Sequence, residues 1–201
     1  MRIFLLRHGA TDWNLAGKCQ GLTDVKLNAA GRAQAEAAAE LLAGEAVAAI
    51  YSSRLTRARA TAAAVARRHG LEVIVEENLH ELDHGALEGL TFAEIHSVHT
   101  DFIRDWRERP AEALVPGGEP LAAVERRAWQ ALQRIVARHR DDETLVVVSH
   151  NFPILAVVCR VLGTPLNGYR AYHVAPGALV RLAYGADGAW RLDGAPPLRR
   201  D

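Results

Sequence analysis

The segment Thr144-Leu145-Val146-Val147-Val148-Ser149 constrains this chain more than any other stretch. Its four consecutive aliphatic residues leave no polar face, so a strand here must be covered on both sides. Strands of that kind belong to parallel sheets sandwiched between helices. Arg2-Ile3-Phe4-Leu5-Leu6 reads the same way, and Val47–Tyr51 and Glu72–Val75 supply two further strands. Helical patterns separate them over Ala29–Ala43, Leu55–His69 with Gly70 as its stop, Leu121–Arg138 and Phe152–Leu162. Ala178–Tyr184 and Ala189–Leu192 flank a Gly-Ala-Asp-Gly turn and read as a terminal hairpin. The expectation is a three-layer α/β/α sandwich with a mainly parallel central sheet.

Residues 82–120 interrupt this alternation. Leu79–Gly89 reads as a loop, Thr91–Arg107 as one helix and Pro110–Pro120 as a connector. We expect a small helical cap here, over the active face of a single domain spanning residues 1–201. Gly9–Gly31 reads as loop, Ala195–Asp201 as a loose tail, and the arginines at 126, 127, 134, 138 and 140 as a solvated helix face.

Lys+Arg and Asp+Glu both number 24, so the chain lacks the basic excess of a general nucleic-acid binder, and any anion site must be local. No apolar run approaches the length of a membrane span, and the run before Arg7 is too short for a signal peptide. Cys19 and Cys159 form neither a CxxC pair nor a disulfide framework, which suits a reducing cytoplasm. A homodimer could be built on the apolar Tyr169–Leu182 stretch, which reads equally as an internal strand.

The chemistry sits at strand ends. Arg7-His8-Gly9 follows the first strand, Ser149-His150-Asn151 follows the strongest one, and Ser52-Ser53-Arg54-Leu55-Thr56-Arg57 follows a third. In open α/β sheets ligands bind at the carboxyl ends of the strands, so two histidines and two arginines are expected in one crevice. Arginine forks suit a phosphate dianion, and a neutral imidazole is a competent nucleophile toward phosphorus. His8 could take the phosphoryl group while Arg7, Arg57 and His150 hold the charge on its oxygens. Glu81, with Asp83 as its rival, is placed to protonate the leaving alkoxide. The arginines take the place of a metal ion, so no cofactor is expected. A zinc site from His8, His150 and Glu81 is disfavoured because the same arginines would repel a cation.

Four segments, in order, resemble the histidine phosphatase superfamily, in the branch that includes the cofactor-dependent phosphoglycerate mutases. Arg7-His8-Gly9-Ala10-Thr11-Asp12-Trp13-Asn14 resembles its amino-terminal motif, Ser53–Thr61 its second, Glu81 with Gly85–Gly89 its acid-bearing loop, and Ser149-His150 its last. The resemblance implies a phosphohistidine on His8 and a phosphate contact from Asn14. Pro116-Gly117-Gly118-Glu119-Pro120 echoes a further family element. Asn151 stands where a glycine usually follows the last motif, in a position that often lines the pocket.

Two departures favour a phosphatase over a mutase. The cap stretch carries Arg104, Arg107 and Arg109 but no adjacent pair, and His84 stands where the mutases place a tyrosine. Cys19-Gln20-Gly21-Leu22-Thr23-Asp24 should line the pocket rim. With Glu81–Gly85 it resembles the metal-independent phosphoserine phosphatases, in which case His84 would meet the carboxylate of L-phosphoserine. The implied partner is a small phosphorylated metabolite. Similar branches act on α-ribazole phosphate, on glucosyl-3-phosphoglycerate or on many substrates, and a non-catalytic phosphate-binding module remains the bland alternative.

Overall fold

The computed structural model describes residues 1–197; residues 198–201 of the expected loose tail lie outside the described residues. Six strands form one sheet in the order β3-β2-β4-β1-β5-β6. They are β1 (Arg2–Arg7), β2 (Val47–Ser52), β3 (Val73–Val75), β4 (Thr144–Ser149), β5 (Leu179–Tyr184) and β6 (Trp190–Leu192). β3, β2, β4 and β1 run parallel, and β5 and β6 add an antiparallel edge.

Side-chain alternation in the central strands feeds two cores. Ile3, Leu5, Ala49, Tyr51, Leu145 and Val147 face one side, which α6 (Leu121–Val136) and α7 (Asn151–Val161) cover. Phe4, Leu6, Ile50, Val146 and Val148 face the other, beneath α2 (Ala29–Leu42) and α3 (Thr56–His69). All six residues of β4 are buried, which is the two-sided cover its composition demands. The three-layer α/β/α sandwich expected from the sequence is therefore the fold. Chain order departs from spatial order between β1 and β4, and this switch point opens a crevice at their carboxyl ends.

Three local expectations change. The supposed loop from Gly9 to Gly31 contains a one-turn helix, α1 (Asp12–Leu15), closed by a capping box between Thr11 and Asn14. A single turn has no periodicity to read. The expected helix Thr91–Arg107 is two helices, α4 (Phe92–Val98) and α5 (Thr100–Glu108), broken at His99 (φ −116°, ψ 51°). Val98, His99 and Thr100 are weak helix formers in sequence, so the break costs little. Four of the five arginines expected on a solvated face are exposed, but the Arg127 side chain is only 13% accessible and bonds inward.

The carboxyl end of the apolar Tyr169–Leu182 stretch forms β5, which pairs with β1 on one edge and β6 on the other. Part of the tail is also tied down, since His173 N–H donates to the Pro197 carbonyl at 2.7 Å. Among the described residues no helix is long and apolar enough to cross a membrane.

Candidate active site

Strand register brings the two histidines together. β1 and β4 are parallel neighbours with Arg7 opposite Ser149, so the next residue on each strand is a histidine. The His8 and His150 rings lie 5.0 Å apart between centroids. The loop after His8 turns closely enough that a Cβ on Gly9 would lie 2.2 Å from the Gly31 carbonyl oxygen, so only glycine fits. Thr61, from α3, fixes the same turn: its Oγ1 accepts from Gly9 N–H at 3.1 Å and donates to the Arg57 carbonyl at 2.8 Å.

His8 is almost fully buried, and its Nδ1 lies 2.7 Å from the Gly9 carbonyl. A carbonyl only accepts, so Nδ1 carries the hydrogen and Nε2 keeps the lone pair. Burial, then the charges of Arg57 and Arg7, hold the His8 imidazole well below its ordinary ionisation range. His150 is fully buried and is held down in the same way, by burial first, then by Arg57, His8 and Arg7. It lies beside His8 rather than on the cleft surface. Its Nε2 is bonded to Ser53 Oγ at 2.8 Å, while Nδ1 has no partner.

The two neutral histidines make stability depend on pH. In the unfolded chain each ionises near ~6.5; in the fold, well below that. Their contribution is fully present above ~6.5 and is lost as pH falls toward the lowered folded value, by up to ~1.4 kcal/mol per histidine per pH unit. Urea unfolding at pH 7.5 and 5.5 should therefore show a smaller acid loss for His8→Ala than for the wild type. Equal losses would mean that His8 is charged in the fold.

The arginines flank this pair. Arg57 is fully buried; Nη1 donates to Thr23 O at 2.9 Å and Nη2 to Gly21 O at 2.8 Å. Arg7 donates through Nη1 to Asn151 Oδ1 at 3.0 Å and to Val174 O at 2.6 Å. Among the described residues five buried side-chain polar atoms lack a partner, and three of them are Arg7 Nε, Arg57 Nε and His150 Nδ1. Buried donors are rarely left unpaired, so this concentration marks a place built for an acceptor-rich anion.

Glu81 is buried, and its carboxylate accepts three backbone N–H bonds. Oε1 takes those of Leu82 (2.9 Å) and Phe152 (3.1 Å); Oε2 takes that of Asn151 (3.0 Å). It thus joins its own loop to the first turn of α7 and leaves Oε2 the less occupied oxygen. Asp83, its rival, instead accepts from Gly85 N–H at 2.9 Å within the turn and does not line the cleft.

A cleft of about 420 Å3 opens over these groups. It is lined by Arg7, His8, Asn14, Gln20, Gly21, Arg57, Glu81, His84 and Asn151 from the sequence-predicted set. Asn14 Oδ1 accepts from Thr11 N–H, so its amide NH2 is the end left for a ligand. Gln20 Oε1 is similarly held, by Thr11 Oγ1 at 2.8 Å. Leu22 does not line the cleft, contrary to expectation; Glu88 Oε1 holds its backbone N–H at 2.7 Å and turns the loop there.

His84 lines the cleft with a different hydrogen pattern from the one expected. Its Nδ1–H is spent on the Leu82 carbonyl at 2.8 Å, so Nε2 can donate to a carboxylate only as imidazolium. Cys19 also faces the cleft. Burial, then Glu81 and Glu88, push its thiol up to about 11, so it remains protonated and a poor nucleophile.

The opposite wall went unread in the sequence. α4 and α5 contribute Ile95, Phe102, Ile103 and Trp106, and the core side adds Phe152, Tyr169 and Arg170. Trp106 Nε1–H donates to the Tyr169 hydroxyl at 3.1 Å, tying α5 to the chain beneath it. Lys18 and Arg107 complete the rim, and Glu81 is the sole carboxylate among the described lining residues.

A buried imidazole with a directed lone pair, beside the charges of Arg57 and Arg7, is an arrangement suited to phosphoryl transfer. The chain belongs to the histidine phosphatase superfamily, branch 1, whose profile matches residues 3–194. It is 37% identical over 172 residues to phosphoserine phosphatase 1 of Hydrogenobacter thermophilus, covering 86% of this chain and 81% of that one. The mycobacterial glucosyl-3-phosphoglycerate phosphatase solved with VO3 superposes with a TM-score of 0.87 at 33% identity, covering 97% and 98% of the two chains. YhfR of Bacillus stearothermophilus superposes at 0.91 with 27% identity, covering 98% of each. The chain is accordingly a phosphatase of this superfamily.

Proposed function

We propose that the chain hydrolyses phosphomonoesters of small anionic metabolites through a phosphohistidine on His8. The observation that supports it most is the pair of unpartnered buried donors, Arg7 Nε and Arg57 Nε, together with the unpartnered His150 Nδ1, in the site of a His8 held below its ordinary ionisation range. His8 Nε2 attacks phosphorus and the ester P–O bond breaks. Glu81, protonated on Oε2, gives its hydrogen to the departing alkoxide. The Nδ1–H bond to Gly9 O supports the positive charge that grows on the ring. Water, deprotonated by Glu81, then attacks the phosphoryl group; the P–N bond breaks and inorganic phosphate leaves. Arg7, Arg57 and the Asn14 amide hold the equatorial oxygens throughout, with the unpartnered Nδ1 of His150 behind His8 as the group left to join them.

Residues 82–120 serve as the cap that covers the leaving group, and Gln20, Gly21 and Asn151 shape the rim. The free thiols of Cys19 and Cys159 suit a cytoplasmic setting.

The excess of cations lining the cleft favours a substrate with a second negative charge, and L-phosphoserine is the leading candidate. His84, Lys18 and Arg170, all on the cleft lining, are the candidates to meet its carboxylate. Phosphate release in the presence of EDTA should proceed undiminished. L-phosphoserine should lead phosphoethanolamine, which lacks only the carboxylate, by about two decades in kcat/KM, or ~2.7 kcal/mol. Equal rates would remove the carboxylate from the specificity and make the enzyme a generalist; loss of activity in EDTA would bring back a metal.

A further inference from the structure

We propose that Arg127, on α6, is the residue that sets the position of the general acid without touching substrate. The inference rests on Glu81 being that acid. Arg127 lies outside the cleft lining, and all five of its N–H donors are spent within the protein. Nη1 donates to the carbonyls of Asn78 (2.9 Å) and His80 (2.6 Å), and Nη2 to the carbonyl of Glu81 (2.9 Å). The remaining two bonds, from Nη2 (2.6 Å) and Nε (3.2 Å), go to the Glu119 carboxylate. One guanidinium thus gathers three carbonyls of the segment that ends in Glu81.

Glu119 carries the grip onward. Its Oε1 accepts from Asp83 N–H at 3.1 Å, and its own N–H donates to the Asp83 carbonyl at 3.1 Å. Ala86 N–H reaches the Pro116 carbonyl at 2.8 Å. The two segments lie so close that a Cβ on Gly118 would sit 2.1 Å from the Asp83 oxygen. The loop bearing Glu81 and His84 is therefore clamped from both sides, and Arg127 is the rigid centre of the clamp. A lysine could replace the charge but not the five-donor fork.

A displaced acid slows a reaction only where the leaving group needs its proton. The test compares kcat/KM, which reports the leaving-group step and not the shared hydrolysis of the phosphohistidine, for an alkyl phosphate and for p-nitrophenyl phosphate in the wild type, Glu81→Gln, Arg127→Met, Arg127→Lys and the double variant Arg127→Met/Glu81→Gln. Glu81→Gln should lower the alkyl-to-aryl ratio by ~10^2-fold or more, and Arg127→Met by at least ~10-fold. The double variant should be no worse in that ratio than Glu81→Gln alone, because both changes remove one function. Arg127→Lys, which keeps the charge and secures folding, should shift the ratio in the same direction. An unchanged ratio in both Arg127 variants beside a lowered ratio in Glu81→Gln would overturn the clamp alone. Multiplying losses in the double variant would do the same. An unchanged ratio in Glu81→Gln would overturn the acid assignment, and the inference with it.

Discussion

Replacing His8 by alanine should lower kcat by at least ~10^4-fold, equivalent to ~5.4 kcal/mol of barrier, while the protein stays folded. The loss is large because no neighbour can substitute. His150 is fully buried with Nε2 engaged by Ser53, and Cys19 is held as a neutral thiol. Folding should survive because the strand geometry at this point rests on backbone bonds, including His8 N–H to the Ser149 carbonyl at 3.0 Å. Inorganic phosphate should still bind the variant and raise its melting temperature, since the arginines remain. Turnover within ~10-fold of wild type would rule out covalent catalysis at this residue.

Arg57→Lys should cost about 10^2- to 10^3-fold in kcat/KM, or ~2.7–4 kcal/mol of transition-state stabilisation. The charge is kept, so the loss measures geometry. Arg57 donates to Thr23 and Gly21 through its two terminal nitrogens and leaves Nε unpaired. A single ammonium cannot hold both carbonyls and still reach a phosphate oxygen. The variant should also lose most of the thermal shift that phosphate gives the wild type. The assignment fails if the lysine variant retains both its activity and its phosphate-induced shift.

Much of this was legible because the decisive signals are local. Apolar runs mark β1 and β4, and a histidine follows each one directly. Their adjacency is a long-range fact, fixed by the register of Arg7 against Ser149, and reached the reading only through the rule that such sheets bind ligands at strand ends. The Gly-Ala-Asp-Gly turn marks the β5–β6 hairpin, whereas strand order and the antiparallel pairing of β5 with β1 have no local signature.

Arg127 was misread for a physical reason. It borders the buried stripe of α6 between Val124 and Ala128, where helical periodicity alone assigns it to solvent. The visible clue was Gly117-Gly118-Glu119, which supplies both the close approach and the carboxylate partner. The wall of the cleft opposite His8 has no signature in the sequence because Trp106, Phe152, Tyr169 and Arg170 share no spacing; tertiary packing alone unites them. For His84 the residue was found but not its tautomer, which depends on where the Leu82 carbonyl points.

The central claim is two displacements at phosphorus, the first by His8. The stereochemical course of hydrolysis of a phosphorothioate ester made chiral with 16O and 18O, run in water labelled with 17O, tests it most directly, because the thiophosphate product is itself chiral and the result does not depend on an intermediate accumulating. Each in-line displacement inverts the phosphorus, so two in succession give net retention, the outcome predicted here. Net inversion would show that water attacks the ester directly, and would contradict the phosphohistidine on which this account rests.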